Sequence, residues 1–316
     1  MTDASQDPAQ TEGGHDRAAS ARRAASADRV EHAPDPHIFY ARHELPGDGA
    51  LPDGPVLAAG PGGVRMIPAG DPDAAPVADA PGGTLYRFPR MSELASLSGT
   101  VHSIATFQDE PVYAVSTTAD AASDLTEVGY RELYGTIGDD ELALVGRAIQ
   151  IVDWDESSRY CPRCGAPTDA DANEGVKRCS SCGLTQYPRL APAMIVGVVR
   201  DGKLLLGQSP RFAGRFHSIL AGFLEPGETM EECVQREVYE EVGISVGNIR
   251  YFGSQPWPFP HSFMIGFTAE YESGELDPDP AEIIHADWYA PHELPNVPGE
   301  VSISGRIINW FRRTYG

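Results

Sequence analysis

Positive charge is in short supply in this chain. It carries 24 Lys and Arg against 46 Asp and Glu, a net charge of −22 over 316 residues. Such an acidic balance excludes a protein that grips nucleic acid through a general basic surface, while leaving room for a local pocket that recognises a nucleotide. Long apolar runs are missing too. None reaches the roughly 20 residues of a membrane-spanning helix, and no apolar signal-peptide core stands near the start. Cysteine is scarce: of five residues, four fall in two C-x-x-C pairs, which reads as metal binding in a reducing compartment rather than a disulfide framework. These absences describe a soluble cytoplasmic protein with no membrane partner, long enough for two or three domains.

Large apolar residues are nearly absent from Met1 to about Asp35, so residues 1–36 are expected to form a disordered tail. Its Arg, Ala and Ser content faintly resembles a transit peptide, but Asp3, Asp7, Glu12, Asp16, Asp28 and Glu31 speak against one. Residues 37–155 show short β-like runs at Val56-Leu57, Gly63–Met66, Thr84–Phe88, Ser103–Phe107 and Pro111–Ser116, with a Pro/Ala/Asp loop over Asp71–Pro81. A helical turn is expected at Glu127–Tyr134. An amphipathic helix is expected from Asp140 to Trp154, with Leu142, Val145, Ile149 and Val152 on its apolar side. This segment reads as a small α+β domain.

Residues 156–190 are more specific. Cys161-x-x-Cys164 and Cys179-x-x-Cys182 are each followed by glycine, Gly165 and Gly183. Thiolates on two tight turns make the closed tetrahedral S4 cage that Zn²⁺ prefers, and two pairs at this spacing fit structural zinc better than a redox dithiol. Beyond the ribbon, Ala193–Val199, Asp201-Gly202 and Lys203–Gly207 spell strand, turn and strand. Further β-like runs follow at Phe263–Tyr271 and Ala286–Tyr289, and a closing helix at about Val301–Arg313. The order suits a mixed sheet between helices.

The sharpest signal is the stretch Gly222–Glu228 continuing through Arg236–Ile244. At about 100° per residue, Glu237, Glu240 and Glu241 share roughly a 100° arc of one helix, bordered by Val234, Val238 and Val242 on the side expected to be buried. Like charges so crowded repel and raise one another's pKa unless a cation sits among them, and a hard ion such as Mg²⁺ or Mn²⁺ suits the oxygens. The run fits G-x5-E-x7-R-E-U-x-E-E-x-G-U, where U is aliphatic, through Gly222, Glu228, Arg236, Glu237, Val238, Glu240, Glu241, Gly243 and Ile244. It resembles the Nudix box of hydrolases that act on a nucleoside diphosphate linked to another group.

Downstream, Ser254-Gln255-Pro256-Trp257-Pro258-Phe259-Pro260-His261-Ser262 reads as a stiff Pro-rich loop whose rings either stand available for stacking or merely cover core. It resembles the SQPWPFPxS array of the NADH pyrophosphatase branch of the family, with His261 at the variable position. The four-cysteine ribbon and the preceding domain match that branch as well.

The resemblance implies an α+β chain: an N-terminal α+β domain, a zinc ribbon and, over residues 191–316, a Nudix α/β/α sandwich. It implies Mg²⁺- or Mn²⁺-dependent hydrolysis of NAD(H) to NMN(H) and AMP, removal of NAD caps from RNA 5′ ends, and a homodimer. Carried over residue by residue, it makes Glu237, Glu240 and Glu241 catalytic metal ligands, with Glu241 foremost. The Ala221 carbonyl and Glu282 complete that set. Arg236 is expected to pair with Glu228 and hold loop to helix. The resemblance also implies substrate contacts for Tyr187, Phe223, Arg131, Ser304 (a position that is commonly Ala) and the array from Gln255 to Ser262. Two other readings compete. One is a Nudix hydrolase of ADP-ribose or dinucleoside polyphosphates. The other is a zinc-ribbon nucleic-acid-binding regulator with a vestigial Nudix domain, against which the intact box carboxylates speak.

Overall fold

The computed structural model describes residues 38–39, 52–60, 63–68, 86–94, 100–116, 125–171, 174–211 and 216–316. The expected tail over residues 1–36, the Asp71–Pro81 loop and the first residues of the Thr84–Phe88 run lie outside the described residues. Two compact units emerge: His32–Ala193 together with Gln255–Met264, and a second built on Met194–Ser254 and Ile265–Gly316. Among the described residues no helix is long and apolar enough to cross a membrane.

The first unit holds a sheet of β1 (Ile38–Phe39), β2 (Val56–Gly60), β3 (Gly63–Pro68), β4 (Tyr86–Arg87), β5 (Val101–Phe107), β6 (Glu110–Ser116) and β7 (Thr126–Gly129), in the order β1-β5-β6-β2-β3-β4 with β7 also on β3. Only β2 and β6 run parallel, Val56 facing Tyr113. Helix α1 (Asp139–Ser157) lays Leu144, Val145, Ala148, Ile149 and Val152 against Leu57, Met66, Ile104, Val112 and Ala114 of the sheet. The helical turn expected at Glu127–Tyr134 is corrected: Glu127–Gly129 pairs with β3 as strand, and only Tyr130–Leu133 coils, as a 3-10 turn. The competition for backbone partners was decided by an open sheet edge, which local pattern does not reveal.

The ribbon follows as β8 (Thr168–Asp171), β9 (Val176–Cys179) and β10 (Thr185–Gln186), an antiparallel set centred on β9. Buried Lys177 on β9 reaches back to α1: its Nζ lies 2.9 Å from Asp155 Oδ1 and donates to the Asp155 carbonyl at 2.6 Å. His102 Nε2 of β5 stands 3.6 Å from the same carboxylate.

The second sheet contains β11 (Ala191–Arg200), β12 (Lys203–Gln208), β13 (Leu220–Phe223), β14 (Ser245–Trp257), β15 (Ser262–Ser273) and β16 (His285–Tyr289), in the order β14-β15-β11-β12-β16 with β13 on β11. Asp201 and Gly202 have φ of 50° and 73°, the left-handed pair a tight hairpin between twisted strands requires. On β11, Met194, Val196 and Val198 meet helix α2 (Met230–Val242) through Val234, Val238 and Val242. The alternate face carries Gly197, where a Cβ would lie 2.7 Å from Ile307 of helix α3 (Ile303–Tyr315). Alternation along a strand therefore puts the two helices on opposite faces, an α/β/α sandwich.

Strand β14 was not expected. It is an edge strand with mixed exposure and two glycines, Gly247 and Gly253, so it lacks a clean apolar alternation. The stiff loop expected at Ser254–Ser262 is corrected as well. Ser254–Trp257 ends β14, Ser262 opens β15, and only residues 258–261 form the tip of a long hairpin. Edge strands tolerate proline where its nitrogen faces away from the ladder, and Pro256 stands in such a strand.

Candidate active site

Helix α2 begins at a capping box. Thr229 Oγ1 accepts from the Glu232 amide at 3.2 Å while Glu232 Oε2 accepts from the Thr229 amide at 2.7 Å. It ends at Gly243, whose φ of 76° lets its amide close onto the Tyr239 carbonyl. Between the caps, Arg236 gathers the loop to the helix. Its guanidinium grips Glu228 with two nitrogens, donates to the Phe223 carbonyl at 2.9 Å, and lies 2.9 Å from Glu237 and 3.0 Å from Glu240. Arg236, with the Glu225 amide, draws the Glu228 carboxyl down to about 2.

Glu241 is the anomaly. It is 6 % exposed, its Oε2 has no hydrogen-bond partner, and burial pushes its carboxyl up to about 8, with the charges of Glu237 and Glu282 adding to the rise. Burial also raises Glu237; Arg236 opposes the rise, and Glu240 and Glu282 add to it. Glu282 is brought from 41 residues after Glu241 by backbone ties: the Asp277 amide donates to the Val242 carbonyl and the Asp279 amide to the Glu241 carbonyl, both at 3.0 Å. On the strand side, a Cβ at Gly222 would fall 1.9 Å from the Glu237 carboxyl carbon, so any larger residue there would displace that carboxylate from its present seat. A buried carboxylate oxygen without a donor, among further carboxylates, is a site that fits a divalent cation.

The four ribbon sulfurs lie within 4.8 Å of one another. Cys161 and Cys182 are 3.6 Å apart and Cys164 and Cys179 3.4 Å, close to the roughly 3.8 Å edge of a tetrahedron with Zn–S bonds of about 2.3 Å. Gly165 and Gly183, at φ 76° and 70°, turn their amides back to the Cys161 and Cys179 carbonyls. Amides of Cys182 and Ser181 point at Cys179 Sγ from 3.4 Å and draw that thiol down to about 6. The cage suits thiolates and a structural Zn²⁺.

In the first unit, the hairpin tip carries the aromatic array. Trp257 and Phe259 lie 5.1 Å apart between ring centroids, and the His261 carbonyl accepts from the Ala191 amide at 2.9 Å.

Three stretches match described families: residues 56–154 the NADH pyrophosphatase-like rudimentary NUDIX domain, 156–187 the NADH pyrophosphatase zinc ribbon domain, and 189–311 the NUDIX domain. The chain is 45% identical over 213 residues to a protein of Pseudomonas aeruginosa named NAD-capped RNA hydrolase NudC, covering 66% of this chain and 76% of that one. A protein of the same name from Deinococcus radiodurans is 42% identical over 219 residues, 68% of this chain and 78% of its own. The chain belongs to the NADH pyrophosphatase branch of the Nudix hydrolases.

Within this Nudix chain, α2, β13 and the segment after β15 bring Glu237, Glu241 and Glu282 into mutual electrostatic reach, with Glu240 held on Arg236 and exposed Ala221 on β13. Phe223 and Tyr187 are 57% and 67% exposed. Ser304 is placed differently: it is buried on α3 and shares a 2.9 Å hydrogen bond with Ser218. Arg131 lies over the Phe259 ring. Sequence reasoning did not find Gly222 as the seat of Glu237, nor the buried Asp155–Lys177 pair. The glycine was visible only as a motif letter, and a lysine between two ribbon cysteines reads as surface until the fold covers it.

Proposed function

We propose that this Nudix chain hydrolyses the pyrophosphate of NAD(H) to NMN(H) and AMP and removes NAD caps from RNA 5′ ends. The observation that carries the reading is Glu241: a buried carboxylate oxygen with no donor, within electrostatic reach of Glu237 and Glu282, in a chain whose relatives bear the name NAD-capped RNA hydrolase. Mg²⁺ or Mn²⁺ would be held by the Ala221 carbonyl, Glu237, Glu240, Glu241 and Glu282, and bound there it would neutralise phosphate oxygens and lower the pKa of a bound water. The chain's own contribution is placement. Arg236 fixes the loop over the helix, and Gly222 leaves space for the Glu237 carboxyl. Glu241, whose Oε2 is buried and without a hydrogen-bond partner, would take a proton from an attacking water. Trp257, propped by Phe259, supplies a ring face for a nicotinamide or adenine base, with Tyr187 and Phe223 exposed for the same use.

In this reading the protein works in the cytoplasm as a homodimer. The domains run as 37–155, ribbon 156–190 and catalytic 191–316, after a tail over residues 1–36. The test is a competition of NADH, NAD⁺, ADP-ribose and NAD-capped RNA at equal concentration with Mn²⁺, followed by product analysis. Release of NMN(H) and AMP, with NADH or capped RNA consumed ahead of ADP-ribose, is expected. Preferential cleavage of ADP-ribose, or no cation-dependent NMNH release, would refute it.

A further inference from the structure

Arg131 and Phe259 belong by resemblance to one substrate-contacting set, yet in the structure they contact each other. The Arg131 guanidinium carbon lies 4.4 Å above the centroid of the Phe259 ring. Tyr130 meets the same ring edge-on at 5.7 Å, and Trp257 flanks it at 5.1 Å. Phe259 packs on the N-terminal apolar core, and the neighbouring Pro258 is buried beside Gly146 of α1, where a Cβ would stand 3.5 Å from the proline ring. Arg131 sits on the 3-10 turn Tyr130–Leu133, anchored by buried Tyr130 and Leu133. Among the described residues no carboxylate lies within ion-pair distance of the guanidinium, so the ring face is its partner.

A cation over an aromatic face is attracted by the ring quadrupole, most strongly when partly desolvated. We infer that Arg131 is a positioning residue: it acts on substrate through Phe259, pinning the tip of the array hairpin to the rudimentary N-terminal domain, and so lets that domain set the enzyme's preference for a nicotinamide dinucleotide. This rests on the proposed function insofar as the array selects substrate. The array's prolines limit the hairpin's own freedom, and Arg131 selects among the positions that remain. Phe259 is thereby turned inward as a prop, leaving Trp257 as the ring free to face a base.

The test is a double-mutant cycle on the full-length, zinc-loaded protein with two readouts. The first is amide hydrogen exchange without substrate. Arg131→Met and Phe259→Leu should each speed exchange across residues 254–262 by about tenfold. The double variant should be no faster than either single, Arg131→Lys should restore most of the protection, and residues 230–242 should not change. The second readout is NADH hydrolysis. Each single variant should raise KM about tenfold with kcat within about twofold, and the double should match the singles. Unchanged exchange in Arg131→Met would overturn the inference. So would KM effects that multiply to about a hundredfold, since Arg131 would then touch substrate itself. If Arg131→Met loses zinc or melts early, Arg131→Gln takes its place in the cycle. Should the unaltered protein fail to cleave NADH, the functional reading falls, while the exchange cycle still decides the coupling.

Discussion

Glu241 is the residue at which burial and charge conflict most directly. Its folded-state carboxyl is raised to about 8, above the unfolded value of about 4.3, so without a cation the folded chain holds a proton that the unfolded chain has released. Stability of cation-free protein should therefore fall as pH rises from about 4.3 to about 8, by an amount on the order of several kcal/mol. Melting at pH 5 and pH 8, with chelator and with Mn²⁺, should show a steep slope that the cation flattens. Glu241→Gln should remove the slope and lower activity about 10³-fold or more, because a site that stabilises several kcal/mol of developing charge loses a ligand. A variant that melts with the parent's pH slope would show that the slope arises elsewhere. Gly222 makes the matching steric prediction. In Gly222→Ala the new methyl would occupy the space of the Glu237 carboxyl, and Mn²⁺ affinity measured by titration should fall at least about tenfold.

At the scale of elements, the ribbon is tied to α1 by a buried ion pair. Burial raises the Asp155 carboxyl, but His102 and Lys177 outweigh it and hold the group at about 2. With the folded value below the unfolded one of about 3.9, its stabilisation is present in full above about pH 4 and is lost as pH falls through 2. Lys177→Met leaves the carboxylate buried with less compensation and should destabilise by about 3–5 kcal/mol in denaturant melts at pH 7. Asp155→Leu/Lys177→Met should recover much of that loss. If the double variant is no better than the single, packing rather than charge dominates the join. Such ties also mark the limit of what the sequence could show. Helix α2 was readable because its valine edge and its carboxylates repeat at helical spacing, while its N-terminal capping box went unread. The two C-x-x-C knuckles were readable because ligand chemistry fixes their spacing. Strand β14 was hidden because its mixed exposure and its glycines, Gly247 and Gly253, leave no clean apolar alternation. Lys177 was hidden because its burial depends on an element 22 residues earlier. Glu282 was reachable only by resemblance, since its place beside Glu241 is made by backbone bonds from Asp277 and Asp279.

For the whole molecule the governing quantity is the charge of −22, which meets a substrate class that differs mainly in the length of its own anionic tail. Free NADH brings two phosphate charges to the site; a capped RNA brings the same dinucleotide plus a polyanion. A protein that released many counterions from the RNA backbone would lose affinity steeply with salt, with a logarithmic slope of about −0.7 per phosphate contacted on a single strand. This chain has no surplus of cations to make many such contacts, and its net field repels the strand at distances that salt screens, about 10 Å at 0.1 M. Raising NaCl from 50 to 200 mM at fixed Mn²⁺ should therefore leave kcat/KM for NADH within about twofold while kcat/KM for a capped RNA holds steady or rises, so that the ratio of capped RNA to NADH increases. Initial rates on both substrates across that range measure it. A logarithmic slope for capped RNA steeper than about −2 would mean three or more phosphate contacts, and hence a local cationic track that overrides the net charge.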